Sequence, residues 1–484
     1  MTFIEVVERY KSALPAGQFY HFPITAMDHT GICSWSSVFL PGPLGGGDGY
    51  GLTDVEAEVG TLGELHERLQ SLWVIPTLKC EGGSYNDLVA SYGEANVVDP
   101  FTLGLPAGSE FTHQTLRLWV KMKRYPVGEA YVPLEAAASS PAELPPGYRP
   151  LFLPVSNGLG AGLDESRALC HGVLELLQRD GNSVTYRALD QGRAVDVSRG
   201  VPEEISSILE RLKSAGLTVN IKLAASDFGL ANVYVNGYGQ DDDDPQIKLA
   251  AGGEACDLDR TVALRKALLE FAFSRARLAF SHGPLRDAAK IAPDGYFDTH
   301  RAHFRAENEE SRALEAMLGW LELSPAELKT NLARIYATRE TVSWNDLPTN
   351  PAVGAATPGE RLSEIAKRLE GFDIFYLDMA TTRAEDHGVV AVKAVVPGLE
   401  VETVSYGRIG ERNFRRLLDR GDSLVGVGEP PQGAQRVALN QKAMAALNGP
   451  VWLDTTKLSE VVGNLYTLYR EPSRHAAAYV REGR

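Results

Sequence analysis

The sequence predicts an α+β fold with mixed α/β character, in which helices and strands follow one another without a regular βαβ order. Apolar residues recur at helical spacing from Val55 to Leu65 and again in residues 203–216. Short β-like runs, such as "LTVNIKLAA" and "ANVYVNGYG", lie between the helical stretches. The 484 residues are 44% apolar, so the chain is long and apolar enough to bury a sizeable core.

The first 150 residues are predicted to hold two helices separated by strands and a glycine-rich loop. The predicted elements are an amphipathic helix over 1–15, strands within 24–41, a loop over 42–51, a helix from Thr53 or Asp54 to about Leu72, and a strand over 115–122. The loop is assigned because glycine and proline crowd the stretch "GPLGGGDGYG".

The remainder of the chain again mixes helices with strands. The predicted elements are helices over 164–179, 203–216 and 257–280, strands over 217–225 and 231–239, strands within 372–380 and 389–397, and a helical tail from Thr456. Four consecutive aspartates occur in "QDDDDPQ" (240–246). A cation site is one interpretation, but adjacent aspartates in a loop lack fixed geometry, so we predict a solvated turn.

The charge of the chain limits its partners. With a net charge of −15, it lacks the basic surface that displaces counterions from nucleic acid, so nucleic acid is excluded. The start carries Glu5, Glu8 and Arg9 and is no signal peptide, and no apolar run is long enough to cross a membrane. The four scattered cysteines predict neither a disulfide framework nor structural zinc. A soluble, cytoplasmic protein without a membrane partner is expected.

Two stretches repeat one spacing of glycine, glutamate and arginine. A glycine lies 13 residues before a glutamate, and an arginine follows that glutamate by four: Gly51, Glu64 and Arg68 in the first stretch, and Gly162, Glu175 and Arg179 in the second. A third stretch has looser spacing, with Gly252 and Gly253 before Glu270 and with Arg275 after it. Residues four apart share a helix face, so each regular copy offers a carboxylate and a guanidinium together.

This repeated pattern predicts a site for a magnesium-bound nucleotide. Glycines that precede a helix expose backbone N–H groups, which favour anions together with the helix dipole. Carboxylates suit Mg2+, and the planar guanidinium matches phosphate oxygens. No G-x-x-x-x-G-K-[ST] motif occurs, so the site would lack a P-loop. The alternative is that each glutamate–arginine pair is an ordinary solvated helix pair.

Four stretches of the chain resemble the YcaO family. The stretch "SNGLGAGLDESRALCHGVLELLQRD" (156–180) resembles the family block S-x-G-x-A-x-G…E-x-x-E-R-D. "GYGLTDVEAEVGTLGELHER" resembles an earlier glycine-rich block, and "GGEACDLDRTVALRKALLEFAFSR" resembles a later block that ends in R-A-x-x-E-x-x-Q-x-R. "FDIFYLDMATTRAEDHGVVAVKAVVPGLE" resembles the C-terminal block with its P-G-L turn.

The resemblance implies strands and helices around a nucleotide pocket, with ATP and Mg2+ as cofactors. It implies a YcaO-like domain over 1–450, with 78–148 as an inserted or peripheral subregion, 284–371 as a mostly helical insertion, and a helical C-terminal tail over 451–484. Members of the family phosphorylate the oxygen of a peptide backbone amide, a nucleophile adds to the amide carbon, and phosphate leaves. A Cys, Ser or Thr nucleophile gives an azoline, which is the expected outcome here, and a sulfur donor gives a thioamide, the alternative.

The resemblance also assigns site residues by position. The Mg2+ ligands would be Glu64, Glu67, Glu175 and Glu270. The residues that bind the nucleotide or orient the carboxylates would be Ser156, Asn157, Arg68, Arg179, Arg275 and Gln178. A precursor peptide is the implied substrate, a separate peptide-recruiting protein the implied partner, and a homodimer one expectation for the assembly.

The chain departs from the family pattern at three positions and at its C-terminus. Tyr50 stands where the family often has lysine, Gln178 where it has a second glutamate, and Phe273 where it has glutamine. The chain ends in "HAAAYVREGR" rather than the proline-rich tail of many azoline-forming members. These departures support a second hypothesis, in which the protein is a non-catalytic scaffold that has kept the fold.

Overall fold

The structure is a computed structural model that describes residues 2–15, 17–40, 46–239, 244–354 and 356–482. Its strands are β1 (Gln18–Pro23), β2 (Cys33–Leu40), β3 (Gly46–Gly51), β4 (Glu81–Gly83), β5 (Arg117–Tyr125), β6 (Glu129–Pro133), β7 (Leu159–Gly162), β8 (Arg193–Asp196), β9 (Leu217–Ala225), β10 (Ala231–Gly239), β11 (Gly252–Asp257), β12 (Glu340–Ser343), β13 (Ile374–Asp378), β14 (Val390–Val395), β15 (Val425–Val427), β16 (Ala434–Arg436) and β17 (Val451–Asp454).

Helices of very different lengths lie between the strands. They are α1 (Phe3–Ala13), α2 (Asp54–Val74), α3 (Tyr85–Tyr92), α4 (Leu134–Ala137), α5 (Glu165–Asn182), α6 (Glu203–Ser214), α7 (Arg260–His282), α8 (Leu285–Ala288), α9 (Tyr296–His303), α10 (Ser311–Glu322), α11 (Pro325–Asn331), α12 (Ala333–Tyr336), α13 (Pro351–Gly354), α14 (Pro358–Arg368), α15 (Thr382–Asp386), α16 (Thr403–Tyr406), α17 (Glu411–Asp419), α18 (Gln441–Ala446), α19 (Thr455–Val462) and α20 (Ala476–Glu482). The prediction of an α+β fold is confirmed.

The chain folds into two compact units, each built from separate segments. The first unit comprises Met1–His66, Thr185–Ala355 and Gly463–Arg484, and the second comprises Glu67–Val184 and Ala356–Val462. One boundary between the units falls inside α2. The predicted limits at 1–450, 78–148, 284–371 and 451–484 divide the chain differently and stay predictions.

The first unit contains two sheets. One is antiparallel with the order β1-β2-β3, and the other has the order β11-β10-β9-β8-β12, in which only β12 and β8 are parallel. Register places Val233 opposite Leu223 and Val235 opposite Ile221, so apolar side chains meet across the central strands. Helix α7 packs against β10 and β11 and is rich in buried Ala, Leu and Phe, as expected of a helix covered on most sides.

The second unit is built on a larger antiparallel sheet. Its order is β4-β5-β13-β14-β7, and β6 also pairs with β5. Helix α5 packs against β7 and β14, and α14 packs against α5. The core of the sheet includes the fully buried Val132 and Ala391. A separate three-stranded sheet has the order β15-β17-β16.

The glycine-rich stretches are strands that pack against the next helix. An added Cβ would overlap a helix carbonyl oxygen at Gly49 (that of Ala57), at Gly160 (that of Ala168) and at Gly253 (that of Ala267). The predicted loop over 42–51 is therefore wrong for residues 46–51, and residues 42–45 lie outside the described part of the chain. The absence of a Cβ at these positions lets β3 approach α2, β7 approach α5 and β11 approach α7. These glycines therefore lie in strands rather than in loops.

We expect Gly160→Ala to destabilise the second unit by about 1–3 kcal/mol. A Cβ has no room against the Ala168 carbonyl, so the backbone must shift. The measurement is the urea midpoint followed by circular dichroism. Gly82→Ala is the matched control, since a Cβ there meets nothing within 4 Å. Equal midpoints for the two variants would contradict the proposed close strand–helix contact.

None of the helices in the described ranges has both the length and the apolar character that a membrane crossing requires. The predicted cytoplasmic location stays a prediction.

Candidate functional site

A small cavity in the first unit is lined by opposite charges. Its volume is about 120 Å³, which is room for several water molecules. The ionisable side chains that line it, apart from two tyrosines, are Arg187, Glu254, Glu270, Arg277 and Glu471. Arg277 pairs with Glu471, and Arg187 lies 4.0 Å from Glu254, so Glu270 is the third carboxylate of a lining that holds two guanidiniums. The cavity is too small for a whole nucleoside triphosphate.

Tyr50 on β3 binds the predicted metal ligand Glu270 on α7. Its hydroxyl donates to Oε2 of Glu270 at 3.3 Å. Burial and the charges of Glu270 and Glu64 hold the pKa of Tyr50 well above its ordinary value, so the phenol is a neutral donor at physiological pH. The rings of Tyr50 and Phe273 lie 5.6 Å apart between centroids. Two of the departures from the family pattern thus form one packed pair beside Glu270.

Glu64 and Glu270 both lie within electrostatic range of Tyr50, since the charge of each raises the pKa of that phenol. Oε2 of Glu64 accepts a hydrogen bond from the backbone N–H of Asp48 at 2.8 Å. Burial alone lowers the pKa of Arg277, but the charges of Glu471, Asp48 and Glu64 outweigh it and raise that pKa. The predicted ligands of the first unit therefore lie within electrostatic range of a guanidinium that lines the cavity.

Arg277 and Glu471 form a two-pronged ion pair at the cavity wall. The two guanidinium nitrogens donate to the two carboxylate oxygens, each at 2.8 Å. His282 Nε2 lies 3.1 Å from the same carboxylate. Burial raises the pKa of Glu471, but Arg277 and His282 hold it well below its ordinary value. This pair ties the segment after α19 to α7.

Arg275 lies elsewhere, in a buried cluster of charges. It is 0% exposed, and its guanidinium pairs with Asp28 at 3.1 Å and also with Asp244. Lys248 bonds the same two carboxylates at 2.9 and 3.0 Å. The predicted solvated turn over 240–246 is therefore wrong for Asp244, and residues 240–243 lie outside the described part. The phosphate contact predicted for Arg275 stays a prediction, which this pairing disfavours.

The same cluster includes the donor set of a metal site. Ligand atoms of Asp28, His29 and Asp244 lie within 4.8 Å of one another. Lys248 and Arg275, however, already neutralise both carboxylates. We therefore assign no metal to this cluster.

The second unit contains the other two predicted ligands, each bonded to a backbone amide. Glu175 Oε2 accepts from the N–H of Gly158 at 2.9 Å, and Oε1 accepts from Arg179 at 3.4 Å. Glu67 Oε1 accepts from the N–H of Ala161 at 3.0 Å. The predicted Glu175–Arg179 pair on one helix face is therefore formed.

The other predicted contacts of the second unit have different exposures. Ser156 is exposed and Asn157 half-buried, in the turn before β7. Gln178 on α5 is half-buried, and Arg68 on α2 is exposed.

Glu64 and Glu270 belong to the first unit, and Glu67 and Glu175 to the second. The prediction that these carboxylates share one cation stays a prediction.

Sequence reasoning missed several residues around these groups: Arg187, Glu254, Arg277 and Glu471 in the first unit, and Lys393 in the second. One signal was available for Arg277, which lies seven residues after Glu270 and therefore two turns along the same helix face. Arg275 lies five residues after Glu270 and projects to another side.

A family model matches more than half of the chain. The family model described as YcaO cyclodehydratase, ATP- and Mg2+-binding, matches residues 48–400. An uncharacterised protein of Methanothermobacter thermautotrophicus is 28% identical over 402 residues, which cover 80% of this chain and 91% of that protein.

Solved structures show the same fold. A heterocyclase in complex with substrate and cofactor has a TM-score of 0.63 and 15% identity, over 87% of this chain and 55% of its own. YcaO from Methanopyrus kandleri, bound with AMPPCP and Mg2+, has a TM-score of 0.57 and 18% identity, over 85% of this chain and 94% of its own. The chain thus spans about half of the heterocyclase and nearly all of the archaeal protein.

Proposed function

This chain belongs to the YcaO family, and from that premise we propose that it uses ATP and Mg2+ to activate a backbone amide in a ribosomally made peptide. ATP and Mg2+ are the cofactors that the description of the family names. The observation that carries the proposal is the cavity in the first unit, which Glu270 lines together with Arg187 and Arg277.

The residues of this cavity fit a magnesium-bound phosphate group. Glu270 of the cavity supplies a hard oxygen donor, and Glu64, which does not line the cavity but acts with Glu270 on the pKa of Tyr50, is a second one. Arg187 and Arg277 supply planar donors that match phosphate oxygens, and Arg277 would exchange a bond to Glu471 for one to phosphate. Glu67 and Glu175 of the second unit are proposed as further ligands from the family resemblance. Bound Mg-ATP would supply the phosphoryl group that converts the amide oxygen into a leaving group.

The proposed reaction on the peptide is cyclodehydration. The amide oxygen takes the phosphoryl group, and ADP departs. The thiol of a Cys or the hydroxyl of a Ser or Thr then adds to the amide carbon and loses its proton. The amide nitrogen loses its proton, the former amide oxygen leaves with the phosphate, and an azoline ring remains. A sulfur donor in place of the side chain would instead give a thioamide.

The contact between Tyr50 and Glu270 supports the scaffold alternative. Glu270 accepts from a neutral phenol, and the apolar Phe273 packs beside that phenol. A neutral donor at this place cannot attract phosphate as a lysine ammonium would. The same contact is compatible with an enzyme if Mg2+ and the two arginines carry the charge of the phosphate.

We also propose that a separate protein presents the peptide, and that the chain forms a homodimer. The family resemblance is the basis of both proposals, and the heterocyclase with a similar fold is nearly twice as long as the region that this chain matches.

Calorimetry with ATP and Mg2+, followed by phosphate release with candidate peptides, tests the proposed function. An enzyme binds ATP and releases phosphate faster when peptide is present. Mass spectrometry then separates the outcomes, because each azoline removes one water and each thioamide replaces one oxygen by sulfur. Absence of binding at millimolar ATP would support the scaffold instead.

A further inference from the structure

The turn over residues 155–158 in the second unit has its backbone fixed on every side. The carbonyl of Ser156 accepts from the N–H of Leu159 at 3.1 Å, and the carbonyl of Gly158 accepts from the N–H of Ala394 at 2.7 Å. The N–H of Gly158 donates to Glu175 at 2.9 Å. The turn therefore has little freedom to move, while the side chain of Ser156 stays exposed.

The two remaining carbonyls of the turn are held by one buried lysine. Lys393 on β14 is 2% exposed, and its ammonium donates to the carbonyls of Val155 and Asn157, each at 2.6 Å. Burial lowers the pKa of Lys393 to about 8, while the charges of Glu175 and Glu143 act in the opposite direction. The lysine is thus a cation at neutral pH, and burying its charge costs desolvation free energy that its bonds to the two carbonyls offset.

We propose that Lys393 is a positioning residue, which fixes the turn over 155–158 so that Ser156 and Asn157 meet the nucleotide in a preformed geometry. The inference deepens the proposed function and rests on it, since Ser156 and Asn157 are assigned to the nucleotide by family resemblance. If the only role of this side chain were packing, an apolar side chain of equal length would fill the space without the cost of desolvating a charge. The two bonds to backbone carbonyls therefore indicate a role in holding the turn.

The arrangement also assigns a second task to Glu175. One of its oxygens clamps the Gly158 amide from the side of α5, and Lys393 clamps the carbonyls from the side of β14. The turn is thus bonded by two opposite charges, one on α5 and one on β14, and these two elements pack against each other. Its shape is therefore set before any ligand arrives, which lowers the entropy lost on binding.

The test compares Lys393→Met with Lys123→Met as the matched control. Lys123 lies on β5 of the same unit. Its side chain is half-exposed, and it pairs with Glu165 at 3.1 Å rather than with the turn. Two quantities are measured for each variant: amide hydrogen exchange at Gly158, Leu159 and Ala394, and the Kd for ATP with Mg2+. Thermal melting tests whether each variant is folded.

We expect Lys393→Met to exchange these amides at least about tenfold faster and to weaken ATP binding at least about tenfold, with the control unchanged. Unchanged exchange, or faster exchange with unchanged ATP affinity, would overturn the proposal. If Lys393→Met does not fold, Lys393→Gln replaces it, because its amide still donates to one carbonyl, and an intermediate effect on both quantities is expected. A wild-type protein that binds no ATP would reject the proposed function, while the exchange result would still decide whether Lys393 holds the turn.

Discussion

Glu270→Gln is expected to weaken Mg2+-dependent ATP binding by at least about tenfold without unfolding the protein. Glutamine has the same shape and still accepts the hydrogen bond from Tyr50, so the packing around Phe273 is retained. It lacks the negative charge that makes a carboxylate a stronger ligand of a divalent cation than a neutral amide oxygen. Calorimetric titration of ATP, with and without Mg2+, measures the effect.

The control for this variant is Glu210→Gln. Glu210 lies on α6 of the same unit, its side chain is 68% exposed, and it contacts only the solvated Lys213 among the ion pairs of the described chain. The same chemical change there should leave ATP binding unaltered. If Glu270→Gln binds ATP with wild-type affinity, and its Mg2+ dependence persists, Glu270 is not a ligand and the cavity is not the phosphate site.

Asp180→Ala is expected to give the largest loss of stability, about 3–5 kcal/mol in the free energy of unfolding. Asp180 is 1% exposed at the end of α5 and bonds Arg412 at 2.9 Å and Arg416 at 2.6 Å. It also accepts from the backbone N–H of Glu400 at 3.0 Å. Removing the carboxylate takes away the buried negative charge that both guanidiniums bond, along with the acceptor of the Glu400 amide.

Chemical denaturation measures this loss, with Asp373→Ala as the control. Asp373 is in the same unit, but its side chain is 57% exposed and its nearest cation, Arg124, is 3.8 Å away. The control should change the free energy of unfolding by no more than about 0.5 kcal/mol. Similar losses for the two variants would show that the buried ion cluster contributes little.

The stability of the Asp180 cluster should also depend on pH. Burial raises the pKa of Asp180, but Arg416 and Arg412 outweigh it and hold the pKa below the ordinary 3.8. A carboxyl with a lowered folded-state pKa adds stability that is fully present above its unfolded pKa. This contribution is lost as the pH falls through the folded-state value, so the difference between wild type and Asp180→Ala should shrink in acid and be constant at neutral pH.

Local pattern was sufficient for several elements of this chain. The strands β9 and β10 occupy the predicted residues, and α2 begins at Asp54 as predicted. These elements follow from the spacing of apolar residues and from capping signals, which act over a few residues. The family resemblance was also readable, because its blocks are continuous in sequence, and the family match over residues 48–400 confirms it.

The partners of individual side chains required the tertiary structure. Arg275 and Arg277 are two residues apart on one helix, yet the first pairs with Asp28 and the second with Glu471. Helical spacing separates the two arginines by face, but it does not name their partners, since Glu471 is 194 residues from Arg277 along the chain. Likewise, the glycines of β3, β7 and β11 resemble loop residues until their helices are in place.

The sequence by itself determined the fold class, elements with a clear apolar period such as β9, β10 and α2, the family, and the types of side chain available for magnesium and phosphate, because these depend on composition and short-range order. Only the tertiary structure decided which charges meet, which glycines are needed for close packing and which turn is clamped by Lys393. The physical reason is that Coulomb energy and steric overlap depend on distance in space, and distant segments such as β14 and the turn over 155–158 come together only in the folded chain.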